Sequence, residues 1–137
     1  MFSHEKLIVY RNAITFVAWT QPLVESLPGK VSARDQLERA STSVPLNIAE
    51  GNGKFSTAER ARFWQIAHGS AVECAACLDV LVARELIAEQ AAAAGKAQLE
   101  EVVNMLMALL DRLGCRVMED PVEYGSKSAG LGWIEED

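Results

Sequence analysis

Apolar residues return at steps of three and four along most of this chain. Between Ser3 and Leu27, Leu7, Tyr10, Ile14, Val17, Gln21 and Val24 make one stripe of a helix, widened by Phe16, Trp19 and Leu23. Pro22 should bend that helix or end it early. LPGK then reads as a stop and a turn, and Ser32 followed by Asp35 offers a capping start for a second helix with Leu37, Ser41, Val44 and Ile48 inward. Gly51, Asn52 and Gly53 are expected to close it through left-handed backbone.

A third helix is predicted from Ser56, where Ser56 and Glu59 form an SxxE capping box. Its seam is Phe63, Ala67, Ser70, Cys74, Cys77 and Leu81, with Trp64, Ala71, Leu78 and Val82 beside it. In a fourth helix Leu99, Val103, Leu106, Leu110 and Leu113 repeat the pattern, with Val102, Met105 and Leu109 as a second row. Four helices with short connections predict an all-α, up-down four-helix bundle over residues 1–116. The apolar rows are wider than the roughly 100° arc that a lone bundle needs. The excess implies a homo-oligomer, most simply a closed ring or a dimer.

The stretch SVPLNIAEG, residues 43–51, is unusual for a helix interior. Pro45 lacks the amide hydrogen owed to the carbonyl of Ser41 and should kink the helix, with nearby hydroxyls compensating. Asn47 and Glu50 lie three apart on one face, where they are expected to form a buried polar network that fixes the corner to the third helix. A lone carboxylate beside an amide has no nucleophile or metal partner, so chemistry is the weaker reading.

Charge adds a division. The chain has a net charge of −6. Residues 1–116 hold 12 basic and 13 acidic side chains, whereas residues 117–137 hold one Lys against six Asp or Glu. That C-terminal stretch mixes Pro, Gly and Ser without helical period and is expected to be an acidic, flexible tail, with Trp133 and Ile134 as its apolar exceptions. Charge interrupts the apolar runs short of a membrane span of roughly 20 residues, and the N-terminus does not read as a secretory signal. With three cysteines, an odd number, the expectation is a cytoplasmic protein with free thiols and no membrane association.

RASTSVPLNIAEGNGKFSTAERARFWQIAHGSAVE, residues 39–73, resembles the signature of the bacterial 23S rRNA intervening-sequence protein family. Arg39, Ala40, Ser43, Asn47, Ile48, Ala49, Glu50 and Gly51 carry the first part of the likeness. Ser56, Glu59, Arg62, Phe63, Ile66, Ala67, Gly69, Ser70 and Glu73 carry the rest. The resemblance implies a cytoplasmic homopentamer built as a barrel of bundles, and relatives in which nucleic-acid or reverse-transcriptase binding is implied. On that pattern Pro45, Asn47, Glu50, Gly51, Ser56, Glu59, Gly69, Ser70 and Glu73 are structural-motif positions.

Catalytic signals are weak. The CxxC at Cys74 and Cys77 falls mid-helix on the seam, with no second pair for zinc, so the thiols read as core. His4 and His68 stand apart without HExxH spacing, and no Glu-x-x-His pair marks a di-iron bundle. The expectation is no enzyme, no cofactor and no metal. For binding, the densest basic segment holds Lys30, Arg34, Arg39, Lys54, Arg60 and Arg62. Repeated around a ring, Arg34, Arg39, Lys54, Arg60 and Arg62 could follow phosphates without reading bases. Two readings therefore remain open: a non-enzymatic oligomeric scaffold for a protein partner, and a weak, non-sequence-specific RNA or DNA binder.

Overall fold

The computed structural model describes residues 1–115. A short 3-10 turn at Ser3–Lys6 leads into α1 (Ile8–Ser26), α2 (Ser32–Asn52), α3 (Thr57–Ala83) and α4 (Glu89–Arg112). Helix α1 packs on α2 and α4, and α3 on the same two, while the backbones of the diagonal pairs stay apart. This is the expected all-α four-helix bundle. The acidic tail expected at 117–137 lies outside the described residues.

The core shows why the chain folds this way. Leu37, Ser41, Val44 and Ile48 of α2 are buried as the periodicity requires, and Ala67, Ala71, Cys74, Cys77, Leu78 and Leu81 form the seam of α3. Leu99, Val102, Leu106 and Leu110 complete it from α4. In α1 the buried row is Val9, Ala13, Phe16, Thr20 and Val24, with Leu27 after the helix; Ile14 and Gln21 of the predicted stripe are exposed. Phe16 and Trp19, read as flanks, face inward instead, because burying the largest rings outweighs keeping a strict step from Leu7.

Several local expectations are corrected. The first helix is broken by the Ser3–Lys6 turn, and Pro22 neither stops nor shortens α1. Helix α2 likewise runs through Pro45, which is buried. Its N-cap is Val31 with no side-chain hydrogen bond, so Ser32 caps nothing. Gly51 and Asn52 are helical and Gly53 has φ −84°, so no left-handed residue closes α2. At α3 the Ser56 hydroxyl accepts from the Glu59 amide at 3.1 Å, which is the N-cap half of the expected box.

Helix α3 is long and apolar enough, by length and composition, to cross a membrane. The core helix of a bundle meets the same description, and α3 packs on both neighbours.

Candidate interaction site at the corner of α2 and α3

Antiparallel pairing of α2 and α3 brings the two halves of the SVPLNIAEG and HGSAVE region side by side. The Ser43 and Ser70 hydroxyls meet at 2.8 Å, and the Asn47 side-chain amide donates to the Ser43 carbonyl and hydroxyl, both at 2.9 Å. Asn47 thus ties α2 to α3 through a half-buried polar bridge. The hydroxyls of Ser41 and Thr42 donate to the Glu38 carbonyl, so they do not reach the Ser41 carbonyl that Pro45 frees. Glu50 is outside this network. It is exposed and pairs with Lys54 at 3.3 Å, which corrects the expectation of a buried carboxylate.

Gly51 does what the sequence assigned to Glu50. A Cβ there would lie 2.6 Å from Trp64 Cδ1, and the same indole donates to the Ile48 carbonyl at 3.1 Å. The glycine lets the largest ring of α3 lie against the α2 backbone. A second pair, Gly95 and Trp19, does the same between α4 and α1, with a Cβ 2.6 Å from the ring. Gly95 lies outside the quoted motif and was missed; its signal was a lone glycine in an alanine-rich helix, which propensity alone disfavours.

The five basic candidates do not make one patch within a single chain. Arg34 lies near the start of α2 and Lys54 beyond its end, separated by about 27 Å of helix between positions 34 and 52 at the standard rise. Arg39 is exposed between them. Arg60 is committed to structure: its guanidinium donates to the Asn52 and Lys54 carbonyls at 3.2 and 3.0 Å and lies over Trp64. Lys54 and Arg62 flank the Phe63 ring at 5.0 and 5.6 Å, and Phe55 is fully exposed beside them. A hydrogen bond from Asn52 to Ser3 at 2.6 Å brings the exposed Met1 and Phe2 toward the same corner. The aromatic component absent from the basic segment in sequence is therefore supplied partly by the fold.

On the outer side of α3, Arg62, Ile66, Gly69, Glu73, Ala76 and Val80 succeed one another at helical spacing, and all are exposed. Gly69 would have open space around an added Cβ, so no contact among the described residues requires a glycine there. Glu59 is also exposed.

The other chemistry is structural. Cys74 and Cys77 are buried free thiols. Burial, then Cys77 and Glu73, pushes Cys74 from its ordinary 9.0 up to about 12; burial, then Glu73, also raises Cys77. Both stay protonated near neutral pH. Partial burial lowers the His68 pKa, and His4 stacks on Phe2 and meets Tyr10 edge-on. Among the described residues no group of three His, Cys, Asp or Glu could hold a metal ion.

The architecture defines the class first: an all-α bundle of four antiparallel helices. The 23S rRNA-intervening sequence protein model matches residues 5–108, and the chain belongs to that family. Among solved structures it is similar to a protein of unknown function from the S23 ribosomal protein family of Bacteroides thetaiotaomicron, at 22% identity and a TM-score of 0.71. That match covers 75% of this chain and 98% of the other and supports the fold. No curated protein matches significantly.

Proposed function

We propose that the protein is a non-enzymatic scaffold that works as a homo-oligomer, a pentamer by family resemblance, and binds a macromolecular partner in the cytoplasm. The observation that carries this reading is the outer face of α3. On α3 Val72 is 51% exposed, and Ile66 and Val80 are exposed beside Gly69, while Leu46 on the neighbouring α2 is 62% exposed. A glycine inside a helix costs about 1 kcal/mol relative to alanine. Nothing among the described residues requires it at position 69, whereas close approach of a second helix to this face would favour it. Light scattering at micromolar concentration tests the reading. The parent should be oligomeric and Gly69→Leu should dissociate it without loss of helix content; a monomeric parent overturns the proposal.

Nucleic-acid binding is the second reading, favoured by Phe55 and the Phe63 ring between Lys54 and Arg62. Cations beside one exposed ring, Phe55, and one half-buried ring, Phe63, suit a single strand, whose bases stack on rings while cations follow its phosphates. Retention on random RNA or DNA that falls steeply with salt, and is lost in Arg62→Glu with Phe55→Ala, is the expected result. No retention at low salt leaves the protein scaffold.

A further inference from the structure

Asn52 is the one asparagine of the chain that is followed by glycine; Asn12, Asn47 and Asn104 precede Ala13, Ile48 and Met105. The neighbour matters because an asparagine side chain is open to attack by the backbone nitrogen of the next residue. Glycine, without a Cβ, leaves that nitrogen least hindered. Asn52 is half-buried and Gly53 exposed among the described residues.

The fold holds both reactive groups. The Asn52 side-chain amide donates to the Ser3 hydroxyl at 2.6 Å, and the Gly53 amide donates to the Ala49 and Glu50 carbonyls, both at 3.2 Å. The Asn52 main-chain carbonyl accepts from the Arg60 guanidinium at 3.2 Å. Asn52 is the last residue of α2, and helical backbone commits the Gly53 nitrogen to the preceding turn instead of to the Asn52 side chain. Attack therefore requires the last turn of α2 to open, which releases the Ser3 contact and the Gly53 amide together. Helix ends are where local opening costs least.

We propose that Asn52 is a site of spontaneous deamidation, latched by Ser3 and the last turn of α2, and that its conversion puts a negative charge at the corner of α2 and α3. On opening, the Gly53 nitrogen gives its proton to hydroxide and bonds to Asn52 Cγ. The Cγ–Nδ2 bond breaks, and that nitrogen takes a proton from water and leaves as ammonia. Water then opens the cyclic imide, at Cγ to give aspartate or at the main-chain carbonyl to give isoaspartate; nothing is oxidised or reduced. Arg60 already holds that main-chain carbonyl, so opening there releases the new carboxylate beside a cation. The charge falls at the C-terminal end of α2, where the helix dipole opposes it, so the corner becomes weaker as well as less basic. The assignment does not depend on whether the corner binds a nucleic acid or a protein.

Full-length protein kept folded at mildly alkaline pH in heavy-oxygen water, beside the same chain unfolded in guanidinium, provides the test. Peptide mass spectrometry should find heavy oxygen taken up at Asn52 before any other asparagine. Conversion in the folded protein should be about thirtyfold slower than in the unfolded chain, the weight of two ordinary hydrogen bonds. Ser3→Ala should speed it about fivefold, the weight of one, with helix content unchanged, and Ser3→Thr, which keeps the hydroxyl, should not. Gly53 has φ −84° and only ordinary contacts for an added Cβ, so Gly53→Ala should fold normally and suppress conversion in both states. Folded protein that converts as fast as the unfolded chain overturns the proposal. So does folded protein that shows no conversion over a time in which a slowing of about thirtyfold would reveal it. A Ser3→Ala rate equal to that of the parent overturns the latch.

Discussion

Trp64 and Gly51 are in contact that permits no side chain on the smaller partner: the indole edge occupies the place of a Cβ at 2.6 Å, and its N–H holds the Ile48 carbonyl. Gly51→Ala should therefore displace the ring and weaken that hydrogen bond, a loss of about 1–3 kcal/mol as overpacking. Urea unfolding followed by circular dichroism measures it. Glu50→Ala, one residue away, should change stability by less than about 1 kcal/mol, since an exposed ion pair contributes little. If the glutamate variant were the less stable of the two, the glycine would not hold the corner.

Gly95 and Trp19 make the same arrangement between α4 and α1, where Leu78 also comes within 2.8 Å of an added Cβ. Gly95→Ala should lower stability by about 1–3 kcal/mol, although alanine is the better helix former by about 1 kcal/mol. The near-ultraviolet dichroism of Trp19 should change with it. A gain in stability would mean that helix propensity outweighs the packing.

Glu85 holds φ +62° where α3 ends, with its amide on the Val82 carbonyl at 2.8 Å and the Leu86 amide on the Leu81 carbonyl at 2.9 Å. Glycine suits that left-handed position, which costs other residues roughly 1–2 kcal/mol. Glu85→Gly should raise the denaturation midpoint by the equivalent of about 1 kcal/mol. An unchanged or lower midpoint would place the backbone strain elsewhere.

Both core thiols should resist alkylation in native protein at pH 8, whereas half-buried Cys115 should be modified; peptide mass spectrometry distinguishes them. The fold raises the Cys74 pKa above its ordinary 9.0, so the unfolded chain loses this proton first. The stabilisation is fully present below pH 9.0 and is lost as pH rises toward about 12. Melting temperature should fall more steeply over that window in the parent than in Cys74→Ala, whose overall stability is lower but less dependent on alkaline pH.

The helical spacing of apolar residues determined the number of helices and most of the inward row in α2, α3 and α4, because a 3.6-residue period leaves few ways to bury Leu37, Ile48, Leu78 and Leu106 together. The run from Arg39 to Glu73 likewise carried the family by its spacing. Tertiary structure decided what period alone leaves degenerate. Helix α1 turned toward Phe16 and Trp19 because the Trp19 ring, stacked on Phe16, could be accommodated against Gly95, a partner 76 positions away in sequence. Asn47 joined Ser43 and Ser70, while Glu50 stayed in water with Lys54, although both share a face of α2. Arg60 and Arg62 are near neighbours on α3, yet one closes a loop and the other faces solvent. Spacing along a helix sets which side of its own axis a residue occupies. What lies opposite depends on the neighbouring helix, and that is fixed only when whole helices pack.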